Sequence, residues 1–554
     1  MIPGLTPSDV GLPAKFRTWR PNQTLALTRG LASTHVYQAH SMPVGDGKSA
    51  YYIAQALLSS TRACILTSTK GLQSQLVSDF NLIGLIDMRG RNNYPCIDKD
   101  CRSCEDGQYH RCPPEECAYE QARNKMLDAS LVVSNYSYYT RSYRYGRGMG
   151  EFDLLVCDEA HDSDSEVCAA MAIEVAYWEA SKIGINLPRE GTLEDWHEWA
   201  AESLPIITDH LDQLKLVAES DKLERGRPHI STVKEMRFWN SVATKVKSIL
   251  EISGEWVVEH IGDGYRLEPV WAEDYAAAIL FRNVPKVILV SATMVKKTIH
   301  LLGIEDDEID FYEYASSFPP SHSPVYVYPA TGSNGRPLQI NHRTSEDDYV
   351  LWTARMDNII RRRLDRKGII HSVSYERSQT IRANSEFSAH MIVPKKGSET
   401  ADCIARFRAA KPPAILVSPA ITTGLDFSYS SSEYNIIPKV PFLDTRGKVL
   451  TARQEEDKEY APYITAQTIV QAHGRTMRAA DDRSESWILD ANFIWFIRKY
   501  HALFPFWFHR LISYPRTMPS PPAPLNREPE PSTLYNPEGD PLLTSISNTN
   551  LKGT

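Results

Sequence analysis

Met42-Pro43-Val44-Gly45-Asp46-Gly47-Lys48-Ser49 is the stretch on which the reading of this chain turns. It follows a strand-like segment, residues 35–39, and precedes a helix-like one, residues 50–58. A strand that breaks at glycines into a helix is the setting of a phosphate-binding loop. Glycines let successive backbone N–H groups close around a phosphate, and the helix N-terminus adds positive potential. In such a loop Gly45, Asp46 and Gly47 form the cradle, Lys48 reaches the β- and γ-phosphates, and the Ser49 hydroxyl ligates Mg2+. Met42 stands where the usual pattern begins with glycine, so the alternative for the stretch alone is an ordinary glycine turn.

A second block makes the turn reading untenable. Asp158-Glu159-Ala160-His161 ends the apolar run Leu154-Leu155-Val156-Cys157. A carboxylate at the carboxyl end of a buried parallel strand faces the ligand crevice. Asp158 is expected to hold Mg2+, mainly through water, and Glu159 to orient and deprotonate the attacking water. A third block, Gln471-Ala472-His473-Gly474-Arg475-Thr476-Met477-Arg478, could set Gln471, Arg475 and Arg478 along one helix face. Arginines supplied from a second domain stabilise charge developing on a γ-phosphate. Loop, box and arginines together spell a nucleotide-hydrolysing machine.

Short apolar runs bounded by turn residues recur between these blocks: 63–67, 131–133, 154–157 and 287–290, then 368–371, 391–393, 415–417 and 487–489. Such runs suit strands buried on both faces of a parallel sheet. Alternation with helix-like segments gives an α/β fold with two sheets, one before about Met294 and one after about Pro324. The expected organisation is a first motor domain in three parts (1–95, 129–162 and 271–310) and a second over 311–513. A cysteine-rich insert (96–128) and a mostly helical insert (163–270) interrupt the first. A Pro- and Ser-rich tail (514–554) reads as disordered by composition.

The bulk numbers exclude some classes. A chain of 554 residues holds about three to five domains. Its net charge of −8 supplies no global field for nucleic acid, so any such contact needs a local basic groove. No run has the apolar length of a membrane span. Met1-Ile2-Pro3-Gly4 lacks the basic and apolar regions of a signal peptide. A cytoplasmic, reducing compartment is expected, or a nuclear one in a eukaryote, where clustered cysteines bind metal more often than they form disulfides.

Five of the nine cysteines span 22 residues as Cys96-x4-Cys101-x2-Cys104-x7-Cys112-x4-Cys117. Four thiolates hold a [4Fe–4S] cluster or a tetrahedral Zn2+, and spacing alone does not separate the two. Cys64 and Cys157 lie in strand-like runs and read as core. Basic and aromatic residues flank the cysteines. Tyr136 to Arg147 is the best local candidate for stacking bases and holding phosphates, against the plainer reading of a solvated Tyr- and Arg-rich loop.

In this order the blocks resemble the superfamily 2 helicases. The loop, the acidic box, Ser291-Ala292-Thr293, Thr422-Thr423-Gly424-Leu425-Asp426 and the Gln/Arg block look like their motifs I, II, III, V and VI. The resemblance is closest to the XPD/DinG branch, which inserts an iron–sulfur domain after motif Ia. Arg20-Pro21-Asn22-Gln23 looks like the adenine-reading segment, with Gln23 the base reader. Leu66 to Gln73 looks like motif Ia on the DNA path, and Ile370 to Tyr375 looks like motif IV. Gly90 to Cys96 is similar to the lead-in of the cluster domain, and Cys117-Ala118-Tyr119 with Ser134-Asn135-Tyr136 to its exit.

The resemblance covers about residues 15–512 and is weak in the helical insert, which corresponds by position to the family's arch domain. The short stretch ahead of Gln23 leaves no room for the exonuclease domain of some relatives. The resemblance implies ATP, Mg2+ and a [4Fe–4S] cluster as cofactors, with zinc the alternative metal. Cys96 and Cys117 are then the outer ligands, Cys104 and Cys112 the inner ones, and Cys101 a substitute for either. Asp426 joins the nucleotide site. The activity implied is that of an ATP-dependent DNA helicase acting 5′→3′ on single-stranded and forked DNA in repair or replication. It would work as a monomer, with other replication or repair proteins as possible partners. A DNA- or RNA-binding ATPase that remodels without separating strands is the alternative.

Overall fold

The computed structural model describes residues 4–97, 101–107, 113–188, 191–226, 228–394, 400–419, 432–444, 446–474 and 483–521. In chain order the strands are β1 (Tyr37–Ser41), β2 (Ala63–Thr67), β3 (Leu85–Asp87), β4 (Leu131–Asn135), β5 (Leu154–Asp158), β6 (Ile173–Ala176), β7 (Trp256–Ile261), β8 (Gly264–Pro269), β9 (Lys286–Ser291) and β10 (Ile309–Glu313). The second half adds β11 (Val325–Val327), β12 (Lys367–His371), β13 (Met391–Ile392), β14 (Ala414–Ser418), β15 (Tyr434–Ile437), β16 (Glu485–Ile488) and β17 (Ile512–Ser513). Two sheets of seven strands form, in the orders β10-β1-β9-β5-β2-β4-β3 and β13-β14-β12-β15-β16-β11-β17. Every pairing within them is parallel. This is the two-sheet α/β architecture the apolar runs predict.

The first sheet is buried on both faces. Cys64 and Leu66 pack with Leu155, Cys157 and Leu289 on one side. Ile65 packs with Val133, Val156 and Ile288 on the other. Cys64 and Cys157 are thus core residues, held between layers of helices. One strand departs from the sequence reading. β10 pairs with β1 and carries the first sheet to Glu313, past the boundary expected at 310. As an edge strand it mixes apolar and polar residues, Ile309-Asp310-Phe311-Tyr312-Glu313, and so lacks the continuous apolar run that marks its neighbours.

The insert over 163–270 contains a long helix, Leu193–Arg225, packed on a second, Ile230–Leu250. Trp196, Trp199, Ile207 and Leu211 face Trp239, Val242, Val246 and Ile249, a spacing of three and four that makes one apolar stripe per helix. At its base β6, β8 and β7 form an antiparallel sheet, so the insert is not all helix. The β7–β8 hairpin turns at Gly262-Asp263, and a Cβ on Gly264 would stand 2.2 Å from the Val175 carbonyl oxygen. The helical pair reaches the cysteine insert, where the Arg237 guanidinium bonds the Glu105 carboxylate. The base reaches the second domain, where Arg453 Nε donates to the Val270 carbonyl at 2.6 Å and Lys448 Nζ to Val258 at 3.1 Å.

In the second domain Arg363 and Glu485 form a fully buried ion pair with a bond of 2.9 Å. Among the described residues, no helix is long and apolar enough to cross a membrane.

Candidate nucleotide-hydrolysis site

The phosphate loop leaves β1 at Ser41 and becomes helix at Lys48 (Lys48–Ser59). Gly45 and Gly47 have φ of +83° and +75°, the left-handed region that a side chain resists. The loop is tied to the helix Pro21–Ala32. Gln23 Nε2 donates to the Gly47 carbonyl at 2.9 Å, Arg20 donates to the Gly45 carbonyl, and Asn22 donates to the Asp46 carboxylate. Burial raises the Asp46 carboxyl above its ordinary range. Gln23, the expected base reader, therefore also braces the loop backbone. A Cβ on Gly47 would lie 2.3 Å from Gln23 Nε2 at a backbone angle that already disfavours it. Gly47→Ala is expected to weaken ATP binding at least about tenfold with the circular-dichroism spectrum unchanged. Calorimetric titration checks this.

Asp158 closes β5 and is held on three sides. Its Oδ2 accepts from the Tyr52 hydroxyl at 3.1 Å and its Oδ1 from the Glu159 N–H at 3.1 Å. Its backbone carbonyl accepts from the Tyr136 hydroxyl at 3.0 Å. Burial pushes the carboxyl up to about 6, the Glu159 charge adding to this and the Lys48 ammonium opposing it. A buried carboxylate next to a lysine, at the strand end beside a glycine loop, fits an Mg2+-nucleotide.

Glu159 adopts φ of +50°, a strained angle for a residue with a side chain. The strain sits where the box leaves the strand, and the carboxylate comes within 3.4 Å of both Ser291 Oγ and His161 Nδ1. His161 Nδ1 and Ser291 Oγ are 2.7 Å apart, and the Gln471 amide meets His161 Nε2. Gln467 Nε2 donates to the Thr293 carbonyl at 2.7 Å, and Trp507 Nε1 to the Ala292 carbonyl at 2.9 Å. A Cβ on Gly474 would come 2.7 Å from Val44 of the phosphate loop. The helix Tyr460–His473 of the second domain thus lies directly on loop and box.

Of the residues expected at this site, Gln23 braces Gly47, Arg20 holds Gly45 and Asn22 holds Asp46; Lys48 and Ser49 begin the helix whose Tyr52 reaches Asp158, and Gln471 meets His161 beside Glu159. Asp426, Arg475 and Arg478 lie outside the described residues. Sequence reasoning assigned no role at this site to Tyr52, Tyr136, His161, Ser291 or Gln467. His161 and Ser291 stood inside recognised blocks. Tyr52 and Tyr136 carried no signal for it, because only the fold brings their hydroxyls to Asp158.

Cys96 and Cys101 are half-buried, whereas Cys104 and Cys117 are buried with sulfurs 3.9 Å apart. The Cys104 N–H donates to the Tyr94 carbonyl at 2.9 Å, and its Sγ lies 3.0 Å from the Pro95 carbonyl. Burial raises the Cys104 thiol, and the neighbouring Cys117 and Cys96 thiols add to it. Two of the expected ligands, Cys104 and Cys117, therefore lie side by side, a pair of thiols that fits part of a thiolate-bound metal site. Among the described residues no three His, Cys, Asp or Glu side chains converge on one point, and Cys112 lies outside them.

The segment Tyr136–Arg147 forms a helix and its C-terminal end, and part of it packs into the domain. Tyr136 and Tyr139 are buried. Tyr138 pairs with Tyr119 through their hydroxyls at 2.9 Å, and the Tyr143 ring lies 3.9 Å from the Arg282 guanidinium. Arg144 donates to the Ala170 carbonyl at 2.8 Å, and Arg147 holds Glu120 at 2.6 Å. The helix Tyr136–Tyr145 thus buries Tyr136 and Tyr139, while Arg141 and Tyr145 are exposed. An amphipathic helix can bury a tyrosine face as readily as it can present one, and this one does both.

Residues 366–510 match the family of the helicase C-terminal domain. No protein of curated function matches the chain. Among solved structures, an XPD helicase aligns with a TM-score of 0.58 at 15% identity, over 87% of this chain and 97% of that one. An apo XPD structure aligns at 0.55 and 14%, over 87% and 98%. S. tokodaii Xpd4 aligns at 0.50 and 13%, over 86% and 97%. The matches agree with the resemblance drawn from the motifs: residues 366–510 are similar to a helicase C-terminal domain, and the chain has the fold of solved XPD helicases.

Proposed function

We propose that the chain is an ATP-dependent DNA helicase that moves 5′→3′ on single-stranded DNA and opens duplex ahead of it, in repair or replication. The observation that carries the reading is the contact of Gln471, from the second domain, with the acidic box beside the phosphate loop. A cleft closed by two domains is one that nucleotide can open and shut. Ser49 and Asp158 would hold Mg2+, Lys48 would bind the β- and γ-phosphates, and Gln23 would read the base. Glu159 would take the proton of the attacking water. Arg475 and Arg478 would come onto the γ-phosphate when the cleft closes. Reopening after hydrolysis would shift the domains along the strand, and the helical insert would help enclose it.

Cys96, Cys104, Cys112 and Cys117 would hold a [4Fe–4S] cluster, with Cys101 as a substitute ligand. When bound, the cluster would supply a rigid cross-link that shapes the insert near the duplex fork. Zinc is the second reading. The 3.9 Å between Cys104 and Cys117 sulfurs is close to the edge of a thiolate tetrahedron, about 3.8 Å for Zn–S bonds of about 2.3 Å.

Strand displacement on duplexes with a 5′ tail or a 3′ tail tests the helicase reading. Displacement of the 5′-tailed duplex alone, dependent on ATP, is expected. Displacement of the 3′-tailed duplex alone would overturn the polarity. DNA-stimulated hydrolysis without displacement on either would favour a remodelling ATPase.

A further inference from the structure

We propose that Tyr52 is a positioning residue for the metal ligand Asp158, orienting its carboxylate to receive the Mg2+ of a bound nucleotide; this rests on the nucleotide-site reading above. Tyr52 is fully buried, one helical turn beyond Lys48 on the helix Lys48–Ser59. Side chains four apart on a helix share a face, so the residue that reaches the phosphates and the residue that reaches Asp158 are stacked on one rigid element. The Tyr52 hydroxyl donates to Oδ2 at 3.1 Å while the Glu159 N–H donates to Oδ1 at 3.1 Å. Each carboxylate oxygen thus has one donor from a fixed element. Two such bonds set the plane of the group, and each oxygen keeps a second lone pair with which a metal or its water can be met. The Tyr136 hydroxyl fixes the backbone carbonyl of the same residue at 3.0 Å.

A ligand held in this way does not pay the rotational cost of ordering when the metal arrives, which is the general effect of partners behind a metal ligand. The neighbouring residue supplies the comparison. Tyr51 is equally buried on the same helix, but its hydroxyl meets His40 Nε2 at 2.7 Å and not the acidic box. Both tyrosines fill the core. Tyr52 differs in where its oxygen ends.

The test is titration of full-length protein with a fluorescent, non-hydrolysable ATP analogue across Mg2+ concentration and in EDTA, for wild type, Tyr52→Phe and Tyr51→Phe. Tyr52→Phe is expected to raise the half-saturating Mg2+ about tenfold, to leave analogue affinity in EDTA within about twofold, and to regain wild-type affinity at high Mg2+. Tyr51→Phe is expected to leave the Mg2+ requirement unchanged. An unshifted Mg2+ requirement in Tyr52→Phe, or an equal shift in Tyr51→Phe, would overturn the proposal. So would a loss of affinity in EDTA as large as that in Mg2+, since that marks damage to the loop. A wild-type protein with no Mg2+-dependent affinity would instead overturn the nucleotide-site reading itself, and this assignment with it.

Discussion

Glu159→Gln is expected to lower ATP turnover about a hundredfold to ten-thousandfold while leaving ATP bound. The amide keeps the size and the hydrogen-bonding reach of the carboxylate but has no basicity, so it cannot take the proton of the attacking water, a step worth about that factor. Little else changes on geometric grounds. The carboxylate lies 3.4 Å from Ser291 Oγ and from His161 Nδ1, contacts long enough for an amide to replace. The strained φ of +50° belongs to the backbone and is shared by both residues. Asp158 keeps its donors from Tyr52 and the residue-159 N–H. Single-turnover hydrolysis alongside equilibrium ATP binding checks both halves. A variant that hydrolyses ATP at the wild-type rate would remove Glu159 from the reaction. One that neither binds nor hydrolyses would show that the substitution broke the site. Lys48→Ala should abolish turnover by the other route, through loss of phosphate binding.

Cys117→Ala is expected to release the metal and to cut duplex unwinding at least about tenfold, with nucleotide affinity retained within about threefold. Cys117 is buried beside Cys104 at 3.9 Å and begins the helix Ala118–Asp128. Removing its thiolate would take the proposed ligand and a packing contact from the insert together. The phosphate loop and acidic box rest on other strands, β1 and β5, with their own bracing from Gln23, Tyr52 and Tyr136. Iron and zinc counted per chain in wild type and variant, with the visible spectrum of anaerobic protein, read out the metal directly. Iron lost on substitution supports the cluster. Zinc in the wild type supports the second reading, and no metal in either refutes both. Unwinding that survives loss of the metal would end the claim that the insert shapes the fork. Cys101→Ala is the informative companion: it should retain metal if Cys96, Cys104, Cys112 and Cys117 are the ligands.

Different parts of this protein were legible in the sequence to different degrees, and for physical reasons. Strands buried on both faces announce themselves as continuous apolar runs, which is why β2, β5, β9 and β14 could be read directly. β10 could not, because an edge strand obeys a weaker constraint. Loop and box were legible because phosphate chemistry demands glycines, a lysine and carboxylates in a fixed local order. The burial of Tyr136 and Tyr139 was not legible, because burial of a tyrosine face depends on neighbours remote in sequence, as the contact of Tyr143 with Arg282 illustrates. The buried pair Arg363–Glu485 had no local signal for the same reason, its members lying 122 residues apart.

The sequence by itself carried the local strings: a glycine loop ending in Lys48-Ser49, an acidic box and a cysteine insert, each legible from its own spacing. Only the tertiary structure decided how these strings are connected. It brought Gln471 onto His161 across 310 residues, and two tyrosines onto opposite ends of Asp158. It also joined the helical insert to the cysteine insert through Arg237 and Glu105. Local order in a chain is dictated by covalent spacing, whereas the meeting of distant side chains is dictated by how two sheets and their helices pack. That packing energy belongs to the whole fold and to no one stretch of sequence.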